Sequence, residues 1–388
     1  MALELALHDT IADVDAAQWD TLATGSPMLK HGYLRAMEQV RLADIRRRYL
    51  LWRSADGEMV AHSWCFSMTA SPERMLPRDH WASRLNRLMP RPMRERIGLK
   101  VVVCGSATTV GHTLCFRADL PASERARCLE QLTTAVQAFA IEQRARIIVL
   151  RDFHHHDAPL TASLPGLRFT PLPNLDDTVI PIRWRSFDDY LAALKSHYRK
   201  QIQRQDAALI RAGVTRQRTS QWSEHAPAMA GLFANVARRY AGGAMIGADY
   251  FAATSGCLGQ ELETTLFFRD GRLVAFIMYY VSENALFSSY LGVDEALNHE
   301  AALTFNAYNE VVRVAIERGV DHLWFGRTAY DAKLRMGAER RALSVYLRTR
   351  PGFIGRRIGQ WVQGRAASND PDRWDVFRHV ANADPSGA

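Results

Sequence analysis

The feature that most limits the fold is a repeat in the order of elements. YLLWRSADGEMVAHSWCF (49–66) reads as two strands around Asp56-Gly57, a hairpin signal. KVVVCG (100–105) is a buried strand. Pro121 to Arg144 reads as a helix, with Leu129, Leu132, Val136, Phe139 and Ala140 at 3/4 spacing and Pro121 in the first turn. RIIVLRDF (146–153) is another strand. The same order returns roughly 200 residues later. TTLFFRDGRLVAFIMYYV (264–281) is a hairpin around Asp270-Gly271, and ALFSSYLG (285–292) is a strand. Asn298 to Arg318 reads as a helix capped by Asn298 and ended by Gly319, and HLWFG (322–326) closes the unit. Two similar α/β units in one chain are therefore expected, and 388 residues suffice for them at ~100–200 per domain.

Composition narrows the class. Hydrophobic residues are 47% and charged residues 23%, which supports a packed core and excludes wholesale disorder, collagen and coiled coil. The five cysteines form no C-x-x-C pair, which argues against a disulfide scaffold or a zinc ribbon. No run approaches a membrane span, and the N-terminal residues lack a basic region followed by a long apolar one. The expectation is a soluble cytoplasmic protein.

The net charge of +8 is local. Residues 71–100 carry eight bases and three acids, and residues 183–218 carry nine bases and three acids. Clustered cations suit phosphates, acidic partners or anionic lipid, although either patch could be a solvated helix face. Within 67–99, Trp81, Leu85, Leu88 and Met89 interleave the arginines. This insertion reads as a lid or peripheral membrane contact, or as a surface excursion packing on its own domain. FTPLPNLDDTVIPIRW (169–184) is Pro-rich and joins the halves.

Three stretches carry a family resemblance. SFDDYLAALKSHYRKQIQRQDAALIRAGV (186–214) is a basic helix ending in Gly-Val. DYFAATSGCLGQELETTLFFRDGRLVAFIMYY (249–280) is a short helix followed by a hairpin. In SSYLGVDEALNHEAALTFNAYNEVVRVAIERGVDHLWFGRTAYDAKLRMGA (288–338), a Tyr-bearing strand, a helix ending in E-R-G, a strand ending in F-G and a K-x-x-x-G step follow in order. This set resembles Fem-type transferases of the GNAT superfamily. The resemblance implies an α/β (α+β) fold of tandem GNAT-like domains, each a mixed, mostly antiparallel sheet flanked by helices. The domains would be 1–180 with the basic insertion 67–99, 181–350, and a tail 351–388. It also implies transfer of an acyl group from a thioester, or of an aminoacyl group from tRNA, onto an amine. One departure is clear. Where GNAT enzymes have a Gly-rich pyrophosphate loop, this chain has LNHEAAL (297–303) without glycine. A helix N-terminus can still bind phosphate there, making Asn298 and His299 the donor-binding candidates.

Lys333 is the strongest catalytic candidate. It matches the family's functional lysine and is one of five lysines among 49 basic residues. A compact ammonium could stabilise an oxyanion or a phosphate; the bland alternative is a surface pair with Asp331 or Glu339. Tyr290 and Tyr280, on strands, could bond the donor carbonyl or relay a proton, or be core. Arg327 and Tyr330 could line the cleft. Lys195, Arg199 and Arg204 could face a pyrophosphate, an acidic carrier or a tRNA backbone, or be a solvated face. HHHD (154–157) projects its histidines in different directions and HEAA (299–302) lacks a second His, so no metal site is expected.

The expected function is amide formation from an acyl-CoA or acyl-carrier-protein thioester and a small amine, with no permanently bound cofactor. Aminoacyl-tRNA is the alternative donor. A non-catalytic RNA- or membrane-binding protein is the rival class, and stable DNA binding is not expected.

Overall fold

The computed structural model describes residues 3–42, 45–70, 99–238, 246–350, 352 and 375–378. Most of the basic insertion, expected as a lid or membrane contact, lies outside the described residues, as does most of the tail. The first part of the chain runs β1 (Glu4–His8), α1 (Ala16–Leu22), α2 (His31–Gln39), β2 (Arg46–Arg53), β3 (Met59–Ala70), β4 (Leu99–Cys104), β5 (Cys115–Phe116), α3 (Ala122–Glu142), β6 (Ile147–His154), α4 (Ala158–Thr161) and β7 (Thr170–Pro173). The second runs β8 (Asp177–Pro181), α5 (Phe187–Ala193), α6 (Ser196–Arg211), β9 (Thr215–Thr219), α7 (Ala226–Ala237), α8 (Ala248–Thr254), β10 (Leu262–Arg269), β11 (Arg272–Val281), β12 (Ala285–Val293), α9 (Glu295–Ala301), α10 (Leu303–Glu317), β13 (His322–Trp324), α11 (Tyr330–Leu334), β14 (Glu339–Arg341) and β15 (Leu343–Thr349).

Both expected hairpins form. The second turns on Asp270 (φ 51°) and Gly271 (φ 74°), the left-handed pair a two-residue turn demands. Each unit then holds one parallel pair, β4 with β6 and β12 with β13. A parallel pair needs a long crossover, and α3 and α9–α10 supply it. The helix expected from Asn298 is two helices. Asp294 caps α9 by accepting from Ala296 N and Leu297 N, and Ala302 at φ 49° breaks the chain before α10.

The sheets are mixed and mostly antiparallel. One has the order β1-β2-β3-β4-β6-β15-β7 with β5 on β3; the other has the order β14-β8-β13-β12-β11-β10-β9. A boundary at 180/181 does not separate them. Four of the five residues of β8 precede that boundary yet the strand joins the second sheet, and β15 lies within 181–350 yet inserts between β6 and β7 of the first. The reason is a ribbon. Residues 170–181 and 339–349 run antiparallel across both sheets, Asn174 N bonding Leu343 O at 2.8 Å where they cross over.

The units share apolar contacts. Trp19, Tyr33 and Trp64 of the first belong to one buried cluster with Trp222, Phe251 and Tyr280 of the second. Full burial of such side chains stabilises by roughly 1.5–3 kcal/mol each, so the units are held in register. At Gly32 of α2 an added Cβ would stand 2.8 Å from the Cys257 carbonyl, so only glycine lets α2 approach the loop after α8. The five cysteines are free. Among the described residues no helix is long and apolar enough to cross a membrane.

Candidate functional site

A cavity of about 1110 Å³ opens between the units, lined from both. Its position follows from the parallel pairs. Pairing of β4 with β6 ends at Cys104 and Leu150, and that of β12 with β13 ends at Phe287 and Trp324. Beyond those points the strands part, and Ser106–Thr113, Arg151–Asp152, Ser288–Tyr290 and Phe325–Arg327 line the one cavity.

Two bulges aim side chains into it. Between the pairs Ile277–Leu291 and Tyr279–Ser288, two residues of β12, Ser289 and Tyr290, oppose one of β11. Between Ser344–Phe153 and Tyr346–Leu150, Arg151 and Asp152 oppose one residue of β15. A bulge leaves its extra residue unpaired and turns it off the ladder. Asp152 accordingly has φ 68°.

Asp152 is fully buried, and its carboxylate collects three donors. Arg151 Nε donates to Oδ2 at 2.8 Å, Asn174 Nδ2 donates to Oδ1 at 2.8 Å, and Arg327 pairs with Oδ1. Arg151 Nη1 also donates to the Ser106 carbonyl at 3.1 Å. Beside them the crossing ribbon places Asp177, which is 4% exposed and lines the cavity. Its Oδ1 accepts the Thr178 N–H at 2.7 Å. Burial pushes its pKa up to about 6, against the lowering effects of that N–H, Lys333 and Arg327. Asp177 was not read from the sequence; its only signal was an Asp-Asp pair before a β-branched run inside an apparent linker.

The expected site residues divide. Arg327 and Tyr290 line the cavity. Lys333 lies behind it, 3% exposed. Its ammonium donates to the carbonyls of Phe325 (2.7 Å), Gly326 (3.1 Å) and Arg327 (3.0 Å). An ammonium has three protons, so none is left for substrate. Burial lowers its pKa to about 8, with Asp177 opposing. Lys333 therefore positions the turn that carries Arg327. Tyr330 donates to the Asp176 carbonyl at 2.8 Å, next to Asp177. Tyr280 is core, its hydroxyl 3.1 Å from that of Tyr250.

The remaining candidates sit elsewhere. Lys195 caps α6 and pairs with Asp375 at 2.6 Å, while Arg199 and the exposed Arg204 follow on that helix. Asn298 Oδ1 accepts from Thr304 N at 2.9 Å, so it caps α10; His299 is exposed on α9. With Asp294 occupying the first N–H groups of α9, this corner already holds its own anion. His154 lines the cavity against Trp324, its pKa pulled down to about 4 by burial with His156 alongside. Among the described residues no group of three or more His, Cys, Asp or Glu is placed to hold a metal.

A family model, FemAB-like, described as peptidoglycan biosynthesis/recognition, matches residues 107–370, more than half of the chain. The chain belongs to the FemAB-like family. A curated relative, a putative 8-amino-7-oxononanoate synthase 2 of Mycobacterium tuberculosis, is 25% identical over 331 residues. That match covers 82% of this chain and 41% of the relative, so the chain spans well under half of it. The fold is shared with FemX at a TM-score of 0.56 and 12% identity, covering 89% of this chain and 97% of that one. It is also shared with L-PGS of Bacillus licheniformis at 0.50 and 11%, covering 90% and 97%. The candidate site is the cavity between the two units.

Proposed function

We propose that this FemAB-like protein transfers an acyl group from a thioester to an amine inside the cavity between its units. The observation that carries the reading is Asp177, a buried carboxylate on the cavity wall whose pKa of about 6 suits a base working near neutral pH. The amine nitrogen attacks the thioester carbonyl, the C–N bond forms, and its proton passes to Asp177. The bulge at Ser289–Tyr290 frees backbone groups beside the cavity, and an N–H there would meet the charge growing on the carbonyl oxygen. Collapse of the intermediate breaks the C–S bond, and the proton held by Asp177 passes to the leaving thiolate, which releases the thiol and restores the carboxylate. Neither a metal nor a covalent nucleophile is required by this scheme.

One observation bears on the donor. Asp294 and Asn298 occupy the N–H groups at the helix starts where a coenzyme A diphosphate would rest in the second unit. That favours donors held by other means, a carrier-protein thioester or an aminoacyl-tRNA, with the basic helix α6 as a docking face. Purified protein incubated with an amine panel and, in turn, acetyl-CoA, acetylated carrier protein or charged tRNA tests both. Amide product by mass spectrometry, with a lower pH limb near 6 that vanishes in Asp177→Asn, supports the reading. No amide from any donor overturns it.

A further inference from the structure

Two arginines reach the inner end of the cavity, and acyl transfer alone does not use them. Five charged groups act on one another at its inner end: Arg151, Arg327 and Lys333 against Asp152 and Asp177. The two arginines come from corresponding places in the two units, just beyond the ends of β6–β4 and β13–β12 pairing. Both reach the cavity, and both are largely buried, their side chains 24% and 15% exposed. The Arg327 Nε is buried with no hydrogen-bond partner among the described residues. A buried guanidinium N–H left unmade is costly, and a turn of the head group toward the cavity would offer it to a ligand oxygen.

We infer that Arg151 and Arg327 form a subsite for an anionic group of the acceptor, so that the acceptor carries both an amine and a carboxylate or phosphate. The inference rests on the acyl-transfer reading only for the amine; the anion subsite stands on the arginines. Asp177 and Arg327 line the same cavity and each shifts the other's ionisation, so amine and anion would sit near one another on a short zwitterionic molecule. A planar guanidinium fork suits either oxyanion. Burial lowers the Arg327 pKa, with Asp152 and Asp177 opposing the fall and Arg151 adding to it.

Matched pairs of probes test this without any acyl donor, so failure of the transferase reading cannot be mistaken for failure here. L-alanine is compared with ethylamine, and O-phosphoethanolamine with ethanolamine, by saturation-transfer NMR and thermal shift on the full chain. The expected result is at least tenfold tighter binding of the anionic member of one pair, and which pair responds identifies carboxylate or phosphate. The preference should fall at least tenfold in Arg151→Lys, which keeps the charge and loses the fork, and in Arg327→Lys. Asp177→Asn should keep the anion preference while weakening both members. Equal binding within both pairs, binding of neither pair, or a preference unchanged in folded Arg151→Lys protein would overturn the inference and leave the cluster as a structural ion-pair network.

Discussion

The Tyr290 hydroxyl donates to the backbone carbonyl of Thr108 at 2.5 Å, a bond from the second unit to the first across 182 residues of sequence. Thr108 also meets Tyr33 through its own hydroxyl at 2.8 Å, so two tyrosines converge on the loop that follows β4. The Tyr290 proton is thereby committed to a carbonyl, and burial holds its pKa well above the usual 10. Both facts oppose a proton relay.

Tyr290→Phe should therefore act through position. The ring keeps its edge contacts with Phe233 and Tyr250, and only the bond is lost. About 1 kcal/mol of stability should go, read by urea unfolding. The lower pH limb of transfer should stay near 6. A limb that moves with this substitution would restore Tyr290 as the proton carrier.

Lys333→Met keeps an apolar stem and removes three donors from three carbonyls. The expected loss is about 2–3 kcal/mol, and the Arg327 turn loosens. Lys333→Arg should not rescue, because a planar fork cannot aim three N–H groups at this curve of carbonyls. The sign of the pH effect is fixed. The folded pKa near 8 lies below the ordinary 10.5, so the unfolded chain binds more protons between those values. Wild-type stability should gain from this group as pH rises through that window, and Lys333→Met should lack the gain. Unfolding midpoints at pH 7.5 and 9.5 check it.

Much of the fold was legible because its signals are local. Asp-Gly turns between alternating runs announce hairpins, and apolar runs such as KVVV announce strands buried on both faces. The ribbon was not legible. Its prolines, 171, 173 and 181, read as a linker, although they sit at strand ends and edges where no ladder N–H is needed. Lys333 was found for the right reason, a lysine where arginine would not serve, yet its ammonium bonds backbone rather than substrate. Asp152 and Arg151 were missed because a bulge, invisible in a strand pattern, turns them into the cavity.

Acid should destabilise the protein through His62. This residue is fully buried on β3, its ring stacked on Trp19 with centroids 3.7 Å apart. Burial drives its pKa down to about 3 from 6.5. The unfolded chain therefore binds the extra proton across that window, and stability falls as pH drops from 6.5 toward 3. His154 acts with the same sign, while Asp177, raised from 3.8 to about 6, opposes it. His62→Phe removes the largest of these effects and keeps a ring on Trp19. Its melting temperature should fall less than that of the wild type between pH 7.5 and 4.5. Parallel falls would show that His62 does not drive the acid response.

Gly105→Ala tests the geometry of the cavity without touching a charged residue. A Cβ on Gly105 would stand 2.3 Å from Arg151 Cγ and 2.7 Å from Cδ, closer than real contacts allow. These atoms lie near the base of the arginine, so the whole side chain must leave its rotamer rather than bend at its tip. Nη1 then parts from the Ser106 carbonyl and Nε from Asp152. Asp152 keeps Asn174 and Arg327, so the carboxylate stays paired and the fold should hold, with an unchanged circular dichroism spectrum. What should change is selectivity. The variant should bind L-alanine and ethylamine, or O-phosphoethanolamine and ethanolamine, with the discrimination of Arg151→Lys rather than of the wild type. Wild-type discrimination in Gly105→Ala would mean that Arg151 does not set the preference from the position it occupies here.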